Sequence, residues 1–250
     1  LAQTPAGVSV AFSNGVRETF DVVVGADGVR SRVRSAIAPG EQTFAGTTSW
    51  AFSVDEDVET PDAATEIWGP DGSAFVLLPG GDGSLAWVTT TASEGATDDF
   101  SVETLREAVG EYGWVVPDVL DGLGVDDVWH RDDYRVRTDT WVRDRVALLG
   151  DAAHAVHPLA GVSTSLAIAD ASVLAEELGG RDDAIEARLE DYVGRRRSRI
   201  RRLERDARVS ATYVFTESPY LTLVRDALAV RSTMLERTFG SRREGRDETL

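Results

Sequence analysis

Arg145-Val-Ala-Leu-Leu-Gly-Asp-Ala-Ala-His-Ala-Val-His-Pro-Leu-Ala-Gly161 is the stretch on which the reading of this chain turns. Val146 to Leu149 is a short apolar run of the kind that forms a buried strand. Gly150-Asp151 ends it, Pro158 and Gly161 shape a loop, and a helix pattern follows from about Ser163 to Leu178. A strand, a small-residue turn and a helix N-terminus in that order form an anion- and cofactor-binding edge in α/β proteins. An acidic side chain at the strand end accepts from sugar hydroxyls, and free N–H groups at the helix start face a phosphate or an anionic ring. A generic strand–turn–helix crossover is the alternative.

Upstream the same pattern recurs. Val8, Val10 and Phe12 alternate with polar residues as a half-buried strand, and Asn14-Gly15 is a strong hairpin signal. A second strand runs over 16–24, with Asp21-Val-Val-Val24 reading as fully buried. Gly25-Ala26-Asp27-Gly28 follows, and Arg32 and Arg34 fall just inside a short helix to Ile37. Alone, Asp-Gly is a common turn. About 120 residues before Gly150-Asp151, and in the same strand-to-helix context, it becomes a second cofactor edge.

The two motifs together resemble the group A flavoprotein monooxygenases, the aromatic hydroxylases of the p-hydroxybenzoate hydroxylase type. Gly150-Asp151-Ala152-Ala153-His154 with Pro158 and Gly161 is similar to their second flavin motif, and Gly25-Ala26-Asp27-Gly28 to their Asp-Gly motif. The resemblance covers nearly all of residues 6 to 240. It implies an α/β FAD-binding fold with an antiparallel sheet on the substrate side. It also implies that Asp151 holds the ribityl chain and that Gly150, Pro158, Gly161, Val162, Ser163, Thr164 and Ser165 shape the flavin-facing loop and helix start. Asp27 then lies near the flavin pyrophosphate. Where the family continues with a second Gly and an Asn after Gly161, this chain has Val162-Ser163-Thr164-Ser165, so a side chain stands where Gly is usual and Ser163 or Ser165 is placed to cap the helix.

Composition bounds the rest. At 250 residues the chain buries a real core in one or two domains. No apolar run approaches the ~18 residues of a membrane span, and no signal peptide opens the sequence. There is no Cys, which excludes disulfides, thiolate metal sites and Cys nucleophiles. No metal site is expected. Net charge is -17, and every basic residue is Arg. That balance argues against a nucleic-acid partner. A dense acidic surface without Lys fits a halophile's cytoplasm, where salt screens self-repulsion, or else an acidic mesophile protein from a GC-rich genome.

Residues 42 to 91 read as antiparallel strands, Thr43–Val54, Thr65–Trp68, Ala74–Leu78 and Leu85–Thr91, separated by turns at Pro70-Asp71-Gly72 and Gly80-Gly81-Asp82-Gly83. Their pattern resembles the substrate-side sheet of the branch containing salicylate, urate and 3-hydroxybenzoate hydroxylases and zeaxanthin epoxidase. Trp50, Trp68, Phe75 and Trp87 are for the most part expected to pack the sheet, with part of the layer walling a substrate cavity. An Arg often follows the Trp in that branch, and here Ala51 stands there. Ser101 is an N-cap for a helix to about Gly110, Trp114 to Leu120 suggests a second short helix, and Val128 to Val136 a returning strand. Leu166, Ala169, Val173, Leu174 and Leu178 share a helical face, closed by Gly179-Gly180. A long helix from Asp182 to about Arg208 carries Arg195 to Arg197, Arg199, Arg201, Arg202 and Arg205 among Glu186, Glu190, Glu204 and Asp206. It reads as a solvated, ion-paired helix, or alternatively an anion-binding face. A last helix is expected over Leu221–Phe239, then a polar tail over 240–250. Four segments follow: 1–41 and 141–180 as flavin-binding parts, 42–140 as the sheet layer, and 181–250 as C-terminal helices.

No Gly-x-Gly-x-x-Gly occurs in the sequence. The family opens with that unit, which holds the FAD pyrophosphate and ribose. The chain therefore reads as the C-terminal two-thirds of the family's catalytic unit, with a missing N-terminal segment possible on another chain. The resemblance implies an FAD-dependent monooxygenase that uses NADH or NADPH and O2, hydroxylating or epoxidising a small organic substrate through a flavin hydroperoxide. His157, just before Pro158, is the imidazole to consider for proton transfer. His154 belongs to the motif and is expected to pack. A flavin-dependent reductase or dehydrogenase on the same fold, and a non-catalytic remnant or half of a split enzyme, remain open alternatives.

Overall fold

The computed structural model describes residues 1–4, 7–38, 41–55, 57–69, 71–81, 83–95, 101–121, 123–179 and 184–231. Pro70, Asp82, Gly180, Asp182, and the expected last helix and tail beyond Arg231 lie outside them. The chain divides into two compact units, Leu1–Thr47 with Asp132–Ala211, and Thr48–Arg131 with the segment that starts at Thr212.

In the first unit, β1 (Ala2–Thr4), β2 (Gly7–Ala11) and β3 (Arg17–Phe20) form an antiparallel ribbon. Asn14-Gly15 makes its turn, with Gly15 at φ 85° and the Asn14 side chain accepting from the Val16 N–H. The segment expected as one strand over 16–24 is broken after Phe20. β4 (Val23–Gly25) joins a different sheet, in which it pairs parallel with β11 (Val146–Leu148), while β10 (Val142–Arg143) flanks β11 on the other side. Asp21-Val-Val-Val24 is not fully buried as expected: Val22 and Val23 are half-buried and Val24 is 38% exposed. Among the described residues β4 has a strand on one side only, which accounts for that exposure. β11 lies between two strands and is wholly buried.

Helices α1 (Arg32–Ile37), α4 (Asp151–His154), α5 (Ser163–Gly179) and α6 (Ile185–Val214) complete this unit, with α6 running on past Ala211. Ile37, Trp141, Val146, Leu148, Val156, Leu166, Leu174, Leu189, Tyr192 and Ile200 form its core. The apolar face of α6, Leu189, Tyr192, Val193 and Ile200, belongs to the same core as Val146, Ala147 and Leu148 of β11.

The second unit is built on the sheet ordered β6 (Thr65–Trp68), β7 (Ser73–Gly80), β8 (Gly83–Thr91), β5 (Glu41–Val54) and β9 (Trp129–Arg137). β5 and β9 run on into the first unit. All four strands expected between 42 and 91 are present. Alternation decides the faces. Trp50, Phe52, Val54, Phe75, Leu77, Ala86 and Val88 pack against α2 (Val102–Val109) and α3 (Val116–Leu120). Ser101 caps α2 by accepting from Thr104 N–H, as its sequence indicates. At the far edge, α7 (Pro219–Arg231) is tied to the sheet by the buried Arg225, which donates to the Gly69 and Val214 carbonyls. No helix among the described residues is long and apolar enough to cross a membrane.

Candidate flavin site

β4 and β11 are adjacent parallel strands, and the two Asp-containing turns leave them at the same end. Leu149 N–H donates to the Gly25 carbonyl, which sets the register. Carboxyl ends of neighbouring parallel strands are where α/β sheets open to ligands.

Gly150 adopts φ 56°, ψ -143° as the N-cap of α4. A Cβ there would lie 2.9 Å from the Ala167 Cβ, so glycine permits both the left-handed backbone and the close approach of α5. Asp151 opens α4 and is half-buried. Among the described residues its carboxylate makes no hydrogen bond or ion pair. After α4 the chain extends through Ala155 to His157 and turns at Pro158–Ala160, and Gly161 ends that turn at φ 59° with open space where a Cβ would point. α5 starts at Ser163, and among the described residues no side chain caps its first turn. Gly161, Thr164 and Ser165 are exposed, Val162 and Ser163 half-buried. An acceptor carboxylate thus stands one turn and one loop from an uncapped helix N-terminus whose N–H groups carry partial positive charge. That donor set fits the ribityl hydroxyls and anionic ring edge of a flavin.

Asp27 is differently occupied. Its Oδ1 accepts from Ser31 Oγ, and its Oδ2 accepts from Arg32 N–H at 2.7 Å and Val33 N–H at 3.2 Å. It thereby takes the first two N–H groups of α1, while Ser31, the N-cap residue, accepts from Arg34 N–H. Burial pushes its carboxyl up, but the bonds from Ser31, Val33 and Arg32 together outweigh this and hold it below the usual range. Arg34, buried, donates to the Val29 carbonyl and, at 3.0 Å, to that of Ala152. It therefore ties the Asp27 turn to α4.

His157 is 3% exposed. Its Nδ1 accepts from Leu159 N–H at 3.2 Å, so the ring proton sits on Nε2, which meets Thr47 Oγ1 at 3.1 Å. The Thr47 hydroxyl in turn donates to Asp133 Oδ2 at 2.9 Å. Burial, and then the positive Arg135, lower the imidazole pKa to about 4. His157 is neutral at ordinary pH with both nitrogens engaged. That arrangement suits a residue holding the loop and makes proton uptake costly.

Beneath Asp151 is a buried polar group that the sequence reading did not assemble. Asp170 on α5 is wholly buried. Its Oδ2 accepts from Gly150 N–H at 2.9 Å and meets His154 Nε2, and its Oδ1 accepts from Arg196 Nε at 2.6 Å. Burial acts to raise its pKa, and the bonds from His154, Arg196 and Gly150 bring it down overall. His154 also packs against Trp141, ring centroids 4.9 Å apart. One signal was legible: Asp170 sits at the i+4 spacing between Leu166 and Leu174, on the buried face of its own helix.

Residues 5–207 match the model of the family described as the FAD binding domain. The aurachin C monooxygenase/isomerase of Stigmatella aurantiaca is 36% identical over 178 residues, 68% of this chain and 46% of the relative. The chloroplastic zeaxanthin epoxidase of Solanum lycopersicum is 33% identical over 234 residues, 86% of this chain and 34% of the relative. The crystal structure of Klebsiella pneumoniae HpxO complexed with FAD and uric acid superposes with a TM-score of 0.82 at 26% identity, covering 96% of this chain and 63% of that one. The chain thus spans half or less of the length of these two curated relatives. With two Asp turns on adjacent parallel strands and a family match over 5–207, the chain belongs to the FAD-binding family of the flavin-dependent monooxygenases.

Proposed function

We propose that this chain carries the ribityl- and ring-facing part of an FAD-dependent monooxygenase that takes electrons from NADH or NADPH and acts with O2 on a small organic substrate. The observation that carries the reading is the unengaged Asp151 carboxylate beside the uncapped start of α5. Asp151 accepts from ribityl hydroxyls, and the N–H groups of residues 162–165 face the ring. Gly161 leaves room for its approach. Bound and reduced, the flavin supplies the oxygen activation. The protein's own part is to hold and orient it. Asp27 and Arg34 act at one remove, fixing the turn that faces the pyrophosphate and joining it to α4. His157 serves as a neutral brace of the flavin loop.

On the substrate side, the sheet face opposite α2 and α3 supports a flat organic ring. Trp87 on β8 and Trp129 on β9 meet with centroids 5.6 Å apart and planes at 48°, and the Arg131 guanidinium lies 4.8 Å from the Trp129 ring centre. Between them β5 presents only small side chains on that face, Ser49, Ala51 and Ser53. Two tilted indoles give a wall and a floor for a planar group. The relatives named above include an aurachin C monooxygenase/isomerase and a zeaxanthin epoxidase, and HpxO is complexed with uric acid. The whole encoded polypeptide, supplied with FAD and NADH or NADPH, tests the reading. Substrate-stimulated O2 consumption with one oxygen atom in the product supports it. Flavin reoxidation by substrate with no O2 uptake points instead to a reductase on the same fold.

A further inference from the structure

We propose that Asp170 and Arg196 are flavin-positioning residues that act through the Gly150-Asp151 turn without touching the cofactor. The proposal rests on the FAD reading above and concerns how Asp151 is aimed. α4 has four residues, too few to hold a helical conformation by its own hydrogen bonds. Its two ends are held by one carboxylate: Asp170 Oδ2 takes the Gly150 N–H at the start and meets His154 Nε2 at the finish. Asp151 lies between these anchors, so its direction is set by where Asp170 sits.

Asp170 is set in turn by α6. Arg196 donates Nε to Asp170 Oδ1 and Nη2 to the Leu166 carbonyl at 3.3 Å. Leu166 N–H closes the first turn of α5 on the Val162 carbonyl, so Arg196 grips the turn whose outer N–H groups face the ring. One turn earlier on α6, Tyr192 OH donates to the Leu148 carbonyl at 3.0 Å, at the end of β11. Three flavin-facing pieces, the β11 end, the Gly150 turn and the α5 start, are thus referenced to a single face of α6. Both members of the ion pair are buried, with side-chain exposures of 8% and 0%. A buried ion pair is weak evidence for stability, because well-packed apolar residues in its place are often as stable. What it confers here is a fixed direction for the Gly150 N–H and therefore for Asp151.

The test is a double-mutant cycle on the whole encoded polypeptide, reading the FAD dissociation constant by equilibrium dialysis and the melting temperature in parallel. Arg196→Lys keeps the charge but cannot serve both acceptors with one planar fork. In the parent it should weaken FAD about tenfold, the scale of one charge-assisted hydrogen bond. In an Asp151→Ala background it should weaken FAD clearly less, by about threefold, because the route through Asp151 is gone and only the hold on the α5 start remains. Asp170→Asn should show the same coupling, and carries the test if Arg196→Lys does not fold. Equal losses in both backgrounds overturn the proposal alone and make the pair merely structural. A parent that binds no FAD overturns the FAD reading and this proposal with it.

Discussion

Falling pH should destabilise this protein through His157 before the depressed native carboxyls of Asp27 and Asp170 titrate. In the folded state the imidazole is buried, neutral and has a pKa of about 4. Unfolded it returns to about 6.5. Above 6.5 both states are neutral and His157 makes no pH-dependent contribution. Between 6.5 and 4 the unfolded chain takes up a proton that the folded chain refuses, so stability falls as pH falls, by about 1.4 kcal/mol per pH unit at its steepest. The full loss by pH 4 is about 3 kcal/mol, a large part of a typical folding free energy. The native carboxyls of Asp27 and Asp170 are held below their usual range, so their losses come at still lower pH. His157→Gln keeps a donor for Thr47 and removes the titration. Urea unfolding of both proteins at fixed salt, from pH 7.5 to 4.5, should show parent stability declining toward the variant's flatter line. NMR of the ring proton reads the same pKa directly. Parallel stability curves, or an imidazole that titrates near 6.5 in the folded protein, would refute the reasoning.

Three further outcomes follow from the same geometry. Asp27→Ala removes the one oxygen, Oδ2, that takes the first two N–H groups of α1, and should lower stability by about 1–2 kcal/mol while costing less flavin affinity than Asp151→Ala; thermal melts beside FAD titration separate the two. Arg34→Met leaves the Ala152 and Val29 carbonyls unpaired and should destabilise by roughly 3 kcal/mol, read by urea midpoint, and an unchanged midpoint would remove Arg34 as the link between the turns. Net charge -17 without Lys should make the melting temperature rise between low and molar KCl, as read by circular dichroism, and an unchanged value counts against adaptation to high salt.

Much of the fold was legible because its signals are local. Alternation marked β5 to β8, Ser101 marked the start of α2, and Gly150 and Gly161 marked positions where the backbone turns left-handed. What was not legible depends on partners far along the chain. Val22 to Val24 read as buried because apolar runs are usually covered on both faces, yet β4 has one neighbour among the described residues. Arg196 was lost in a run of arginines that read as a solvated face. That reading holds for Arg195 with Glu176, but Arg201 and Glu204 pair part-buried and Arg196 turns inward to Asp170. Periodicity says which face of a helix is buried, and cannot say that a cation on that face has a carboxylate waiting 26 residues away. His157 was legible as a neighbour of the loop. Its tautomer follows from the nearby Leu159 N–H, but its neutrality depends on burial and Arg135, and its Nε2 partner is Thr47, which sequence proximity does not reveal.

The central claim is that this family member holds its flavin through Asp151. Titrating FAD into the whole encoded polypeptide and its Asp151→Ala variant tests it most directly, with melting temperatures measured on the same samples. The Asp151 carboxylate makes no hydrogen bond among the described residues, so the variant should fold and melt as the parent does. Losing its charge-assisted bonds, each roughly 1.5–3 kcal/mol, should weaken FAD by at least tenfold. Equal FAD affinity in the two proteins would contradict the account.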